Sequence, residues 1–302
     1  MDYFSAAKKR ALSRRNFLAA LGSSAGAAAA LTVTGCGSSK ASTVTTPPTP
    51  TPVPQITDLD IFNFALNLEY LEAEYYLRAT TGAGLSATDA GNKAGTVTGG
   101  AMVPFKTTAI QEYAMEIAND ELNHVRYLRS ALGSAAVPEP NIDLTNSFNA
   151  AAMAAGIGSS FDPFADEDSF LVGAFVFEDV GVTAYHGAAT LISSTANLGA
   201  AAAILAVEAY HAAEIRTLIE QLGGNYLTYA NQISALRAAA GGGNEVAISG
   251  STITAADSNS IAFDRTTDEV LHIVYLNATT GIITSGGFFP NGLNGSISAT
   301  AS

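Results

Sequence analysis

Four stretches of the chain set apolar residues three and four apart, the spacing that lines one side of a helix. The first runs over about 58–80, where Phe62, Ala65, Leu66, Glu69, Ala73 and Tyr76 share a face. The second, about 104–132, has Ile110, Ala114, Ile117, Glu121, His124 and Leu128 as its seam, with Pro104 suited to a first turn and Gly133 to a stop. The third, about 168–194, lines up Leu171, Ala174, Glu178, Gly181, Tyr185, Ala189 and Ile192. The fourth, about 198–222, lines up Ile204, Glu208, His211, Ile215, Leu218 and Leu222 and ends at Gly223-Gly224. A Gly/Thr-rich insert, 82–100, separates the first two, and a long loop with a short helix near Phe148 separates the second from the third. Beyond Gly224 the pattern predicts only a small hairpin within 245–263 and one short amphipathic helix at about 267–277. The fold class is therefore all-α: a four-helix bundle with a short fifth helix and a Gly/Ser-rich C-terminal tail.

Composition adds boundaries rather than a different fold. A chain of 302 residues with 48% hydrophobic content can bury a sizeable core. A formal charge of −13 excludes nucleic acid as a partner, because phosphate binding needs basic surface. Lys8, Lys9 and Arg10 precede Ser13-Arg14-Arg15-Asn16-Phe17-Leu18, which resembles a twin-arginine export signal. The apolar run from about Ala19 to Val33 is short for a membrane span and ends at Val33-Thr34-Gly35-Cys36, which resembles a lipobox. Cys36, the single cysteine, is then the lipidation site, and the expected location is the bacterial cell envelope, lipid-anchored to the membrane. The division that follows is a signal at 1–35, a Ser/Thr/Pro-rich linker at 36–55, a bundle at 56–225 and a C-terminal extension at 226–302. Loss of residues 1–35 removes five basic residues and Asp2, which takes the formal charge from −13 to −17.

The chemistry lies in the interruption of all four seams by Glu69, Glu121, Glu178 and Glu208. A lone buried carboxylate costs several kcal/mol. Four of them, one per helix, require a shared countercharge, and two divalent cations supply it. Glu121-Leu122-Asn123-His124 and Glu208-Ala209-Tyr210-His211 are both Glu-x-x-His, which on a helix points both side chains to one side. With 14 Glu in 302 positions, chance supplies only ~0.2 such matches. The halves also repeat: Glu69-x6-Tyr76 then Glu121-x2-His124-x4-Arg129 is echoed by Glu178-x6-Tyr185 then Glu208-x2-His211-x4-Arg216. One Glu from each of two helices plus Glu-x-x-His from two others is a di-metal carboxylate constellation.

The order of these motifs resembles the ferritin-like superfamily. Asn67-Leu68-Glu69-Tyr70-Leu71-Glu72-Ala73-Glu74-Tyr75-Tyr76 and Gly286-Gly287-Phe288-Phe289-Pro290 are similar to bacterial ferritin-like domain proteins related to plant desiccation-related proteins, over about 56–295. The resemblance implies that Glu121 and Glu208 bridge two metals, with Glu69 and Glu178 terminal and His124 and His211 capping one metal each. Glu69 and Glu72 are three apart, so either can be the ligand from the first helix; the repeat favours Glu69 and leaves Glu72 behind it or at the surface. Tyr76 and Tyr185 are open to three readings, a hydrogen bond to a ligand carboxylate, a redox-active phenol or an ordinary core aromatic, of which packing behind the ligands is favoured. Glu74, Glu112 and Glu116 are expected in solvent, His186 and His272 as structural residues, and Arg129 and Arg216 as pairing with carboxylates or lying at the surface. Without thiolate, these ligands suit iron or manganese. The implied roles are Fe(II) oxidation or peroxide removal, with O2 or peroxide as the small-molecule partner. A non-enzymatic stress scaffold or metal-sequestering protein is the alternative, and self-association into a homo-oligomer stays open.

Overall fold

In the computed structural model, which describes residues 55–301, α1 (Asp58–Thr81) opens at a capping box. Thr57 accepts from the Asp60 backbone, and the Asp60 carboxylate reaches back to the Thr57 backbone. A one-turn helix α2 (Ala87–Ala90) and a two-residue strand β1 (Val97–Thr98) occupy the insert. Helix α3 (Thr108–Leu132) follows, then β2 (Ile142–Asp143), which pairs in parallel with β1. The remaining helices are α4 (Asn146–Ala155), α5 (Glu167–Ala189), α6 (Thr195–Leu222), α7 (Gly224–Ala240) and α8 (Thr267–Val274).

The bundle is α1, α3, α5 and α6, with α1 packed on α3, α5 on α6, and α1 on α5. Helices α1 and α5 are buried almost all round, whereas α3 and α6 keep an outer face in water. Composition accounts for α5, apolar nearly all round, and for striped α3, but not for α1, which buries Asn63, Asn67, Glu69, Glu72 and Glu74, nor for Ala-rich α6. An all-round apolar helix belongs inside, and a striped one at the surface. α4, α7 and α8 supply the second layer that covers the backs of the central pair. Phe288, from the Gly-Gly-Phe-Phe-Pro segment, sits edge-on against Phe148 and Phe177. Gly287 makes this approach possible. Its φ is +47°, and a Cβ there would meet the Val274 carbonyl oxygen at 2.6 Å.

Several boundaries differ from the expectations. α3 starts at Thr108 rather than Pro104, because the Glu167 carboxylate takes the backbone N–H groups of Lys106 and Thr107 and holds that segment outside the helix. α5 stops at Ala189, five residues early, and α6 begins at Thr195. Asp58 accepts from Ser193 and Ser194 N–H, and the Ser194 hydroxyl caps α6. The 245–263 hairpin reduces to two isolated antiparallel bridges, Ser249 with Thr252 and Ala256 with Ala262. Helix α7, 17 residues long, is absent from the sequence expectation. Its inward residues are Ala230, Ile233, Ser234 and Arg237, a polar mixture that no apolar stripe reveals.

Arg237 explains that mixture. Asp179 of α5 takes Arg216 and Arg237 at 2.8 Å each. Glu245 takes Arg237 at 2.8 Å and Arg265 at 2.7 Å. Arg265 Nη1 also donates to Thr183 Oγ1 at 2.8 Å, and the Arg237 guanidinium lies 4.3 Å from the Phe175 ring centroid. All five charged side chains are at most 6% exposed, so this network ties the C-terminal extension into the same compact unit as the bundle.

Glu74 corrects a second expectation. It is buried, not solvated, with its carboxylate 2.5 Å from Arg78 and accepting from Leu85 N–H at 2.6 Å. Glu139 lies beside it. Burial, and then repulsion from Glu74, push the Glu139 carboxyl up to about 9. The folded chain therefore holds this proton more tightly than the unfolded chain, and stability falls as pH rises from the ordinary carboxylate range toward 9. Glu139→Gln should flatten that fall and raise the melting temperature at pH 8 by roughly 5 °C in thermal unfolding, with little change at pH 4.

Candidate metal centre

Each bundle helix turns one glutamate into the interior near its middle. Glu69, Glu121 and Glu208 are fully buried, and Glu178 is 1% exposed. His124 and His211, one helical turn beyond Glu121 and Glu208, are buried with them. The side chains converge on one volume. Glu69, Glu121, His124 and Glu208 each bring a ligand atom to within 4.8 Å of the others, and so do Glu121, Glu178 and His211. His124 Nδ1 is 3.2 Å from Glu69 and 3.4 Å from Glu208. His211 Nδ1 is 3.0 Å from Glu121 and 3.7 Å from Glu178.

Eight polar atoms of this cluster have no hydrogen-bond partner. They are both oxygens of Glu121, both oxygens of Glu208, Oε2 of Glu69, Oε2 of Glu178, and Nδ1 of each histidine. One unpartnered buried polar atom already costs ~1–3 kcal/mol, and more when charged. The second oxygens of Glu69 and Glu178 are occupied, and the occupation is crosswise. Tyr185 of α5 donates to Glu69 of α1, and Tyr76 of α1 donates to Glu178 of α5. Each tyrosine thus fixes the carboxylate of the opposite half and leaves its other oxygen aimed inward.

Electrostatics shows the same unmet demand. Burial, and then the negative charge of Glu69, push Glu121 up to about 8. Burial, and then Glu121, push Glu208 up to about 8. Burial likewise drives Glu178 and Glu72 well above the ordinary carboxylate range. Burial raises Glu69 too, but the charge of His124 beside it, with the Tyr185 hydroxyl, outweighs burial and brings it below. Burial opposes charge on His124 and His211, yet the surrounding carboxylates, Glu69 foremost for the first and Glu178 for the second, hold both rings up. Protons stand in for missing positive charge.

Gly181 on α5 gives the cluster room. A side chain there would collide with Glu208 Oε2 and press on Glu72 Oε1 at 3.3 Å. Glu72 is therefore inside, 4% exposed and next to Glu208, but it joins neither ligand group.

Comparison with known proteins supplies the family of the bundle. The family model described as "Ferritin-like domain" matches residues 57–221, more than half of the chain and all four bundle helices. The chain belongs to the ferritin-like domain family. It is 31% identical over 242 residues to "Desiccation-related protein PCC13-62" of Craterostigma plantagineum, covering 71% of this chain and 76% of that one. It is 28% identical over 270 residues to "Ferritin-like catalase Nec2" of Nesocodon mauritianus, covering 80% and 84% respectively.

Other polar residues of this ferritin-like chain separate clearly from the cluster. Glu112 and Glu116 are exposed on α3. His186 Nδ1 contacts the Phe263 carbonyl at 2.9 Å and His272 Nδ1 the Asn277 carbonyl at 2.6 Å, both as structural ties. Arg129 donates to the Tyr70 hydroxyl at 2.6 Å, and Arg216 is committed to the buried network. Cys36 and the export signal lie outside the described residues. Sequence reasoning missed Asp120, whose Oδ2 is 3.3 Å from His211 Nε2. It sits directly before Glu121 and reads as an ordinary solvated helix residue; only the opposing helix gives it a partner.

Proposed function

We propose that this chain holds two transition-metal ions, iron or manganese, in the bundle and uses them to remove peroxide. The eight unpartnered atoms carry the reading. Glu121 and Glu208 have two free oxygens each, which suits carboxylates that bridge. Glu69 and Glu178 have one each, which suits terminal ligands, and each histidine offers one nitrogen. Four carboxylates then balance two divalent cations. When bound, such a pair exchanges two electrons with peroxide, so that two H2O2 yield two H2O and one O2.

The protein's own residues prepare that chemistry. Tyr76 and Tyr185 hold the terminal carboxylates in orientation. The apolar shell of Leu68, Leu71, Phe177 and Val180 beside Glu72 limits water near the cluster. The relative named as a catalase supports the peroxide reaction, with Fe(II) oxidation as the other reaction open to the same site. The relative named for desiccation supports a second reading, a scaffold that sequesters metal without turnover. An envelope location, by twin-arginine export and a lipid on Cys36, belongs to the proposal and rests on residues 13–18 and 33–36 alone.

The experiment is metal analysis of protein exported under its own signal, followed by oxygen evolution from added peroxide. Two ions per chain with one O2 released per two peroxides consumed is the expected result. Two ions without turnover favours the sequestering reading, and a folded chain that takes up no metal defeats both.

A further inference from the structure

The two halves of the cluster are not equivalent, and the difference lies one residue outside the repeat. The repeat sets Glu121-x2-His124 against Glu208-x2-His211, so the residues just before, Asp120 and Val207, also correspond. Both histidines turn an unpartnered Nδ1 into the cluster. Their outer nitrogens differ. His211 Nε2 on α6 meets Asp120 Oδ2 across the bundle on α3, at 3.3 Å. His124 Nε2 has no hydrogen-bond partner among the described residues, and the residue that corresponds to Asp120 is an aliphatic, half-buried Val207. Asp120 makes no other side-chain hydrogen bond there, and its side chain is 34% exposed, so the fold does not depend on it.

A histidine that gives Nδ1 to a metal carries its proton on Nε2. A carboxylate accepting that proton fixes the tautomer, locks the ring and makes Nδ1 a stronger donor. We infer that Asp120 is a positioning residue for one metal position only, the one capped by His211, and that it makes the two ions bind with unequal strength. The inference rests on the di-metal reading above, and it concerns the ligand set rather than the reaction.

The test is a titration of the full chain, freed of metal by chelation, with Mn(II) or Co(II) against a competing chelator. In the unaltered protein two ions should bind in two resolved steps. Asp120→Ala should weaken one of the two by ~10–100-fold and leave the other within about threefold. With Co(II), the visible absorption of one ion alone should change. Asp120→Asn, which keeps an acceptor oxygen without the charge, should restore part of the loss. Val207→Asp should tighten the step that Asp120→Ala leaves untouched. The melting temperature in chelator should not move with Asp120→Ala, which separates positioning from folding. Equal weakening of both ions, or of neither, overturns the inference while leaving two bound ions intact. Fewer than two ions in the unaltered chain overturns the di-metal reading and the inference with it.

Discussion

Glu121→Gln combined with Glu208→Gln should abolish uptake of both ions and, in chelator at pH 7, make the protein more stable rather than less. Both carboxyls are pushed up to about 8 in the folded chain, so folding costs each of them free energy at any pH above the ordinary carboxylate range. The sign is that of an acid bound more tightly by the folded state: the penalty grows as pH rises toward 8. Glutamine keeps the shape and removes the titration. A gain of a few kcal/mol is expected, ~5–10 °C in melting temperature for a chain of this size. Added metal should reverse the order. An ion at 1,000 times its dissociation constant contributes ~4 kcal/mol to the unaltered protein and nothing to the variant. Thermal unfolding with and without metal, beside elemental analysis, checks both halves. A double variant that melts below the parent in chelator, or still carries two ions, removes the argument that these carboxylates are held for metal at the expense of stability.

Glu245→Gln should do the opposite and destabilise the chain by ~3–5 kcal/mol, because it strips a shared carboxylate from two buried arginines. Arg265 would keep only neutral acceptors, the Thr183 hydroxyl and the carbonyls of Gly241 and Asn244, and Arg237 would share Asp179 with Arg216. Urea unfolding should show the loss as a lower midpoint. Limited proteolysis should find new cleavage between Gly241 and Arg265. The cause can be separated from simple damage. Glu245→Gln with Arg265→Met should cost less than Glu245→Gln alone, since the second change removes a stranded charge. Equal or additive losses would mean that charge pairing is not what holds the extension.

The four bundle helices were legible because each buries a seam that repeats at helical spacing, and the family-specific helix motifs fall on it. Helix α7 was not, because its inward face presents Ser234 and Arg237. Arg237 is tolerable inside only through Asp179, 58 residues away, and Glu245. Glu74 was misplaced for a related reason. It lies off the cluster-facing seam of α1; Arg78, one turn further along the same helix, takes its charge, and the insert folds back so that Leu85 N–H reaches it. In the cluster, helical spacing together with the internal repeat pointed to the six residues that the structure gathers into one volume. The partners of those residues were harder to see. Tyr76 meets Glu178 across 102 positions, and Asp120 meets His211 across 91. Periodicity reports which way a side chain faces on its own helix; it is silent on what the facing helix offers.

The crossed tyrosines have a consequence for how such a protein could arise or be divided. Neither helix pair contains a finished oxygen shell, since α1 with α3 lacks the phenol that steadies Glu69, and α5 with α6 lacks the one that steadies Glu178. A single pair could be completed only by a second copy of itself, lending and borrowing a hydroxyl across a twofold axis. Fusion of two such copies would preserve that exchange within one chain. Two fragments separated in the loop before α5 should then regain the centre only when mixed, each supplying the hydroxyl that the other is missing.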